Sequence, residues 1–461
     1  MSNEASTFHR ARSHWLNNGA PYQPNAPLEG DHKADVCVIG AGITGLSTAY
    51  HLMLRSPGLR VVVLEQEVVG FGASGRNAGQ LLVSFGGGDM GDHIRRHGAE
   101  NVGEALSHVE SGINLIHGLK IEEEIDCDFE ATGYLKTSLR VEGDREVERH
   151  LKMFEQVGHG RYYSQLTQAQ LESELHSPHL GAALYDPRGG QFNPLKLVRG
   201  LKVAAEGRGA QIHESSPVVA IRRHASHLSV ETGLGSVNCE KLVLATNAFT
   251  HLLAGGRELS LHREQYPLIS RATITAPLSD ADWESAGWPR RSGVNVLSSL
   301  FFSFMPTRDG RILWVGGFYT HAPKGGALGP EAHASLRGSN FVGHFFPRMA
   351  HVPNVQTWGG PISITADWTP HVGFTSDPRI VYACGCWGHG MALSTANGRA
   401  LADLTLNPDG EASRIWFIRR TKRRWPSRWL SDIVAQKVIR DRRRGNRKIA
   451  SSMSPPMTFI D

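Results

Sequence analysis

Asp35 to Leu52 reads "DVCVIGAGITGLSTAYHL". The run "DVCVIG" from Asp35 to Gly40 has the branched apolar composition of a short buried strand, and glycines stand at Gly40, Gly42 and Gly45. In this G-x-G-x-x-G spacing the first glycine permits a tight turn and the second admits a pyrophosphate. The third lets a helix pack on the strand. The next residues supply that helix, with Leu46, Ala49, Tyr50 and Met53 at i, i+3, i+4 and i+7. Its N-terminus presents unpaired N–H groups and the positive end of the helix dipole to phosphate. A second strand, "LRVVVLE" from Leu59 to Glu65, completes a βαβ unit of about 30 residues. Glu65 stands 20 residues beyond Gly45 at a strand end, where an acid accepts hydrogen bonds from an adenosine ribose. The unit predicts a bound dinucleotide, NAD or FAD.

The chain then runs through Gly70 to Gln80, "GFGASGRNAGQ", a stretch too poor in side chains to fold by itself. A simple NAD fingerprint continues into another ordinary helix. Glycines and small residues in this number suit a long ligand lying against the backbone. The loop favours FAD.

Length and composition bound the rest. The chain has 461 residues, more than one core usually serves, so two domains are expected. Hydrophobic residues are 40% and charged residues 20%, an ordinary globular balance. No apolar run approaches the roughly 20 residues of a membrane span, and "MSNEASTFHRARSHW" lacks the apolar core of a secretory signal. Five cysteines, an odd number in a long chain, argue against a disulfide framework, and Cys384 with Cys386 is too small a set for zinc. No metal site is expected, and the chain reads as cytoplasmic. None of the 23 histidines lies in an H-E-x-x-H pattern, and no G-x-S-x-G elbow supports a hydrolase. Net charge is +5, yet Glu411 to Ala450 alone carries 14 Lys/Arg against three acids, so the remainder is net acidic.

Residues 1–33, with Pro21, Pro24 and Pro27, read as an extended lead-in. Gln211 to Thr250 holds several short strands with glycine turns and then a buried strand, "KLVLATNA". An exposed helix is expected over Arg140 to Glu155. Alternating strand patterns are expected in "NVLSSLFFSFMPT" and "GRILWVGGFY". No internal repeat and no long low-complexity linker appears, so the two domains are read as interleaved in sequence.

With these pieces in view, the chain resembles the D-amino acid oxidase/glycine oxidase superfamily of FAD-dependent amine oxidoreductases, and within it the gamma-glutamylputrescine oxidoreductase type. The matching motifs are "ADVCVIGAGITGLSTAYHL", "GFGASGRNAGQ", "GGQFNPLKLVRGL", "KLVLATNAFT", "RDGRILWVGG", "WGGPISITADWTPHVG" and "GCWGHGMALSTANGRALADL". The resemblance implies an α/β fold. In it a Rossmann-like FAD-binding domain (34–111, 186–260 and 357–410) is interleaved with a substrate domain (112–185 and 261–356) on a mixed or antiparallel sheet. A basic C-terminal helical tail, 411–461, follows.

The resemblance also implies the contacts. Ser74, Arg76, Asn77, Gly79 and Gln80 become FAD-binding residues, with Gly72 and Ala73 giving close backbone approach. Ala41, Ile43, Thr44, Gln66, Ala78 and Leu81 complete that side. Val218 falls where the family meets the adenine, and Thr246 and Asn247 where its second strand passes the diphosphate. Gly388, His389, Gly390 and Met391 open a helix whose N-terminus is aimed at the flavin pyrimidine edge, stabilising the reduced ring. Trp368 and Trp387 are the expected walls of the amine pocket, with His389 as a third pocket candidate. Covalent flavin attachment in sarcosine oxidases uses a cysteine six residues before the proline of a Thr-Pro turn. Ile364 holds that place before Thr369-Pro370, so the FAD is expected to be non-covalent. The strand that carries an oxygen-activating lysine in those enzymes, here "RILWVGG", has none, and Arg311 stands at its start. Oxidase and dehydrogenase stay open.

The implied reaction is oxidation of a C–N bond in a small amine or amine conjugate to an imine that hydrolyses, with oxygen or another acceptor taking the electrons. One rival is an enzyme for an amino acid such as pipecolate, proline or sarcosine, whose carboxylate calls for a pocket Arg or Lys, whereas a polyamine conjugate calls for a longer pocket. A rival of another class is a redox-inactive FAD-binding protein that docks a partner through its tail. In that tail Leu430, Ile433, Val434 and Val438 share one helical face. It is read as a helix packed on the body, with peripheral contact to an anionic membrane as the second reading; no nucleic acid is expected.

Overall fold

The computed structural model describes residues 13–253, 259, 261–316, 320–321 and 340–457. Among them, eight strands form a first sheet. Its spatial order is His371–Phe374, Ile380–Cys384, Gly235–Leu244, Gly30–Ile39, Val61–Leu64, Gln211–His213, with Leu228–Glu231 attached antiparallel to Gly235–Leu244 and Ala220–Arg223 antiparallel to Leu228–Glu231. The central pairings are parallel. A parallel sheet is covered on both faces, and its strands are apolar throughout. Val36 and Val38 belong to the cluster under the helices, while Cys37 and Ile39 belong to the cluster under the hairpin.

The helix Ile43–Arg55 packs on the helices Pro194–Gly207 and Gly390–Leu406, and the last of these also packs on Ala99–Glu122. Close approach explains Gly45, where an added Cβ would lie 1.9 Å from the Gly40 carbonyl oxygen.

Nine further strands form a second sheet, ordered Thr320–His321, Tyr266–Thr275, Ile312–Gly316, Phe302–Pro306, Gly293–Val296, Tyr134–Leu139, Leu180–Asp186, Ser164–Leu166, with Asn354–Ile364 along Tyr266–Thr275. All pairs are antiparallel except Gly293–Val296 with Tyr134–Leu139. The fold is the expected α/β architecture with a mixed second sheet, and strands of the two sheets interleave along the chain.

Four boundaries differ from expectation. The lead-in contains a helix, His14–Asn18, capped by the Ser13 side chain, with Trp15 buried. Five residues are too few to show an apolar period. The first strand begins at Gly30 because it pairs in register with the other strand from Gly30↔Gly235 onward. The helix expected from Arg140 is Arg145–Gln156, since Leu139 to Gly143 form a hydrogen-bonded turn. The boundary at 357 falls inside Asn354–Ile364, which pairs with Tyr266–Thr275 along nearly its whole length and so belongs to the second sheet.

The tail contains the helix Arg428–Ser452. It buries Ser431, Ala435, Asn446 and Ala450 against the second sheet, and Tyr266 donates its hydroxyl to Asp432 Oδ1 at 2.7 Å. Packing on the body is therefore observed, but through the opposite face from the one expected: Leu430, Ile433, Val434 and Val438 point outward.

Candidate active site

The carboxyl ends of the parallel strands converge, as ligand sites in open α/β sheets do. Ile39, Leu64, Leu244 and Cys384 end their strands, and the loops that follow line one long cavity closed on its far side by the second sheet.

At the first sheet, Gly40 has φ +102°, the left-handed region that favours glycine, and Ala41 donates its N–H to Glu65 Oε2 at 2.8 Å. Glu65 Oε1 accepts from the Glu67 N–H at 3.1 Å. Burial pushes the Glu65 carboxyl up to about 7, so this acid is held partly protonated near neutrality beside the cavity. Gly42, Ile43, Thr44 and Gln66 line the same end, with Val218, Thr246 and Asn247. Gly45 does not line it; it sits behind the turn.

The small-residue loop closes over this end. Ser74 Oγ accepts the Ile43 N–H at 2.9 Å, which ties the loop to the helix N-terminus. Gly72, Ala73, Arg76, Asn77, Ala78 and Gln80 line the cavity, whereas Gly79 and Leu81 lie behind it. A Cβ on Gly79 would meet the Phe192 carbonyl oxygen at 2.1 Å. Arg76 braces the loop: Nε donates to the Phe71 carbonyl at 2.7 Å and Nη1 to that of Gly359 at 3.3 Å. Asn77 donates to the carbonyls of Ala73 and Ser74, accepts from the Gly79 N–H at 2.8 Å, and receives the Trp15 indole at its own carbonyl. Much of the loop's polarity therefore holds its own shape, a division of labour that the motif does not display.

The last loop forms the second-sheet end. Trp387, Gly388, His389, Gly390 and Met391 line the cavity, with His389 at the N-cap of Gly390–Leu406. Burial, with the Lys136 charge added, pushes the His389 imidazole down to about 4, so it is neutral at physiological pH, and its Nδ1 is buried with no partner among the described residues. Trp368 does not line the cavity. Its ring stacks on Trp387 at 4.8 Å and 15°, with the Arg442 guanidinium of the tail helix 5.6 Å from its centroid. Both tryptophans have positive φ, 69° and 54°, a conformation costing about 1–3 kcal/mol each for a bulky residue. Three glycines missed in the sequence reading, Gly86 to Gly88, accommodate them: a Cβ on Gly87 would lie 2.1 Å from the Trp387 ring, and one on Gly88 2.8 Å from that of Trp368.

The second sheet contributes Ser270, Arg271, Asn295 and Ser303 to the cavity, none of them singled out by a motif. Ile364 lies in a cluster with Tyr266, Leu268 and Ala435, and the wall cysteine is Cys386, near Asn247 Nδ2 at 3.4 Å. Arg311 points away, bonding Asp309 and the Thr275 carbonyl. Lys136, from another strand, does not line the cavity, though its charge acts on His389; it sits over the Tyr134 and Phe154 rings, its amine pushed down to about 8 by burial.

These residues fit FAD. A glycine turn and an open helix start face the cavity together with an acid at the neighbouring strand end. Toward the other sheet, Gln80 Nε2 and His389 Nδ1 are buried polar atoms without partners among the described residues. A dinucleotide cradle walled by a second, mostly antiparallel sheet defines a flavin-dependent oxidoreductase. The chain belongs to the FAD dependent oxidoreductase family DAO, which matches residues 35–404. It is 32% identical over 394 residues to a probable oxidoreductase OrdL of Haemophilus influenzae, covering 84% of this chain and 86% of that protein. It is 30% identical over 399 residues to gamma-glutamylputrescine oxidoreductase of Escherichia coli, covering 87% and 89%. The fold is shared with the crystal structures of L-proline dehydrogenase from P. horikoshii (TM-score 0.70, 22% identity, 84% and 97% covered) and glycine oxidase from Geobacillus kaustophilus (0.67, 23%, 85% and 100%). The protein is thus an FAD-dependent amine or amino-acid oxidoreductase. Among the described residues no helix is long and apolar enough to cross a membrane.

The two tryptophans separate by experiment. Trp387→Ala is expected to lower kcat/KM on the order of tenfold to a hundredfold with flavin content retained. Trp368→Ala acts only by letting Trp387 move, so Trp368→Phe should restore most of its smaller loss. Steady-state kinetics with flavin absorbance checks this, and equal defects in both alanine variants would contradict the assignment of the wall to Trp387.

Proposed function

We propose that the enzyme oxidises the C–N bond of an amine that also carries a carboxylate at a distance, such as a γ-glutamyl-type amine conjugate. A carboxylate calls for a pocket cation, as it does in the amino-acid reading, and that cation is Arg271. It is a cation on the cavity wall contributed by the second sheet, and burial and then the charge of Arg443 push its guanidinium down from its ordinary value. A carboxylate entering the cavity meets a planar guanidinium suited to charge-assisted hydrogen bonds. The similarity to gamma-glutamylputrescine oxidoreductase agrees with a substrate bearing both groups.

The fingerprint glycines, Glu65 and the Ser74 loop would hold FAD, and the segments expected as the FAD-binding domain supply these residues. When bound, FAD accepts the hydride equivalent from the carbon beside a neutral amine. The Trp387 indole offers an apolar face to methylene groups and attracts a cationic end. Neutral His389 adds no charge to repel the amine, and the helix start behind it favours negative charge on this side. The imine leaves and hydrolyses in water, and oxygen or another acceptor takes the electrons onward. The five buried cysteines suit a reducing compartment, and Ile364, standing where sarcosine oxidases carry the tethering cysteine, is the ground for a non-covalent cofactor.

A panel of amines, with peroxide detection and dye reduction run in parallel, tests the reading. Arg271→Leu is expected to raise KM roughly 10- to 100-fold for carboxylate-bearing amines and to spare those lacking one. The amino-acid reading gains if proline, pipecolate or sarcosine is the best substrate and the variant abolishes its turnover. Unchanged KM throughout removes Arg271 from recognition. Acid precipitation should leave the flavin in the supernatant.

A further inference from the structure

The helix Arg428–Ser452 turns a large apolar surface to solvent. Trp429 is 66% exposed, Ile433 53%, Val438 41%, and Leu430 and Val434 38% each. The remaining exposed large apolar side chains among the described residues occur singly along the chain, from Leu54 to Val355. Steps of three and four residues carry the same stripe from Trp429 and Ile433 through Lys437, Arg440 and Arg444 to Arg447 and Lys448, all of them exposed. One side of a single helix is therefore apolar over its first half and cationic over its second. Scattered exposed leucines and valines need no explanation, whereas a contiguous group does.

The helix is held in this orientation. Ala435 packs with Tyr266, Leu268 and Ile364, while Ala450 and Met453 enter the core of the second sheet. Just before it, Arg420 pairs with Asp367 and Arg424 with Glu264. The apolar stripe cannot roll inward without breaking these contacts.

We propose that this face docks the protein on an anionic lipid bilayer, with Trp429, Ile433 and Val434 entering the headgroup boundary and the cations beyond them meeting lipid phosphates. A flat surface that accepts aliphatic groups and anion-binding cations side by side matches the stripe. A nucleic acid would engage the cations and leave the tryptophan and aliphatic groups in water. A second copy presents no other apolar patch of this size among the described residues, and two tails facing each other would oppose segments each carrying 14 Lys/Arg against three acids. The opposite side of the helix lies one side-chain layer from the cavity, through Arg442 on Trp368 and Trp368 on Trp387. Docking therefore leaves the helix, about 10 Å thick, between the bilayer and the cavity's second-sheet end.

Co-sedimentation of the full-length holoprotein with vesicles tests this. Binding is expected to phosphatidylcholine vesicles containing about a third phosphatidylglycerol, to be weak on phosphatidylcholine alone, and to fall in high salt. Ile433→Asp with Val434→Asp, and separately Arg440→Glu with Arg444→Glu, should each weaken binding on the order of tenfold or more, with flavin content and melting temperature unchanged. These positions are solvent-exposed, so the variants should fold. No binding by the wild type overturns the proposal, as does binding that survives both double variants. A dimer in sedimentation equilibrium that Ile433→Asp dissolves, without vesicle binding, reassigns the face to contact between copies. Retention of nucleic acid in place of vesicles overturns it equally.

Discussion

Gly42→Val is expected to give a folded protein that does not retain FAD. Gly42 is the N-cap of Ile43–Arg55 in extended backbone, so valine is not excluded by its φ. The space excludes it: a Cβ there already lies 3.0 Å from Ser74 Oγ, the atom that accepts the Ile43 N–H. The two added methyls either displace Ser74 and open the loop or project into the cavity where a pyrophosphate must approach. Either outcome removes the contacts at the helix start, and a loss of roughly a thousandfold in affinity, about 4 kcal/mol, is expected. Flavin absorbance after dialysis, set against circular dichroism of the same sample, checks this. Stoichiometric yellow flavin in the variant would remove the glycine turn from the cofactor site.

The second large effect concerns the cluster that anchors the tail. His371 is fully buried, with Nδ1 2.7 Å from Glu264 Oε2 and Nε2 3.0 Å from Asp367 Oδ1. Tyr382 donates to Glu264 at 2.9 Å, Arg424 pairs with Glu264, and Arg420 with Asp367. Glu264→Ala leaves His371 Nδ1, Tyr382 and Arg424 without their acceptor, and a cost of about 3–5 kcal/mol is expected from breaking one side of a buried charged network. Burial alone would raise both carboxyls, but hydrogen bonds from His371 and the arginine charges hold Glu264 and Asp367 below their ordinary values. A depressed carboxylate stabilises the fold above its unfolded pKa, about 4.3 for Glu and 3.9 for Asp, and that contribution is lost as pH falls through the lower folded value. Urea unfolding should therefore show the full gap between wild type and variant at pH 7 and a shrinking gap below about pH 4. A gap independent of pH would mean that the variant acts through a cavity and not through charge.

The FAD-binding half was legible because its chemistry is local. Gly40, Gly42 and Gly45 occur within six residues, Glu65 ends the next strand, and the turn geometry they require follows from backbone sterics alone. The glycines and small residues from Gly72 to Gln80 mark a loop where a ligand can approach backbone, and most of them line the cavity. Its internal bonding was not legible, because Arg76 and Asn77 bond to partners such as the Gly359 carbonyl and the Trp15 indole that are remote in sequence.

The sequence by itself determined the βαβ unit, the need for a dinucleotide, the interleaved organisation and the amphipathic character of the tail. These depend on spacing and periodicity, which a linear chain displays. Only the tertiary structure decided which tryptophan faces the cavity, since Trp368 and Trp387 sit in similar motifs and stack with one of them in front. It also brought Arg271 to the cavity wall, because the orientation of a strand residue depends on register with Asn354–Ile364. And it turned Leu430, Ile433, Val434 and Val438 outward. Periodicity tells which residues share a face; burial of that face is settled by the ion pairs and small side chains, Asp367, Glu264, Ala435 and Ala450, that fix how the helix lies on the second sheet.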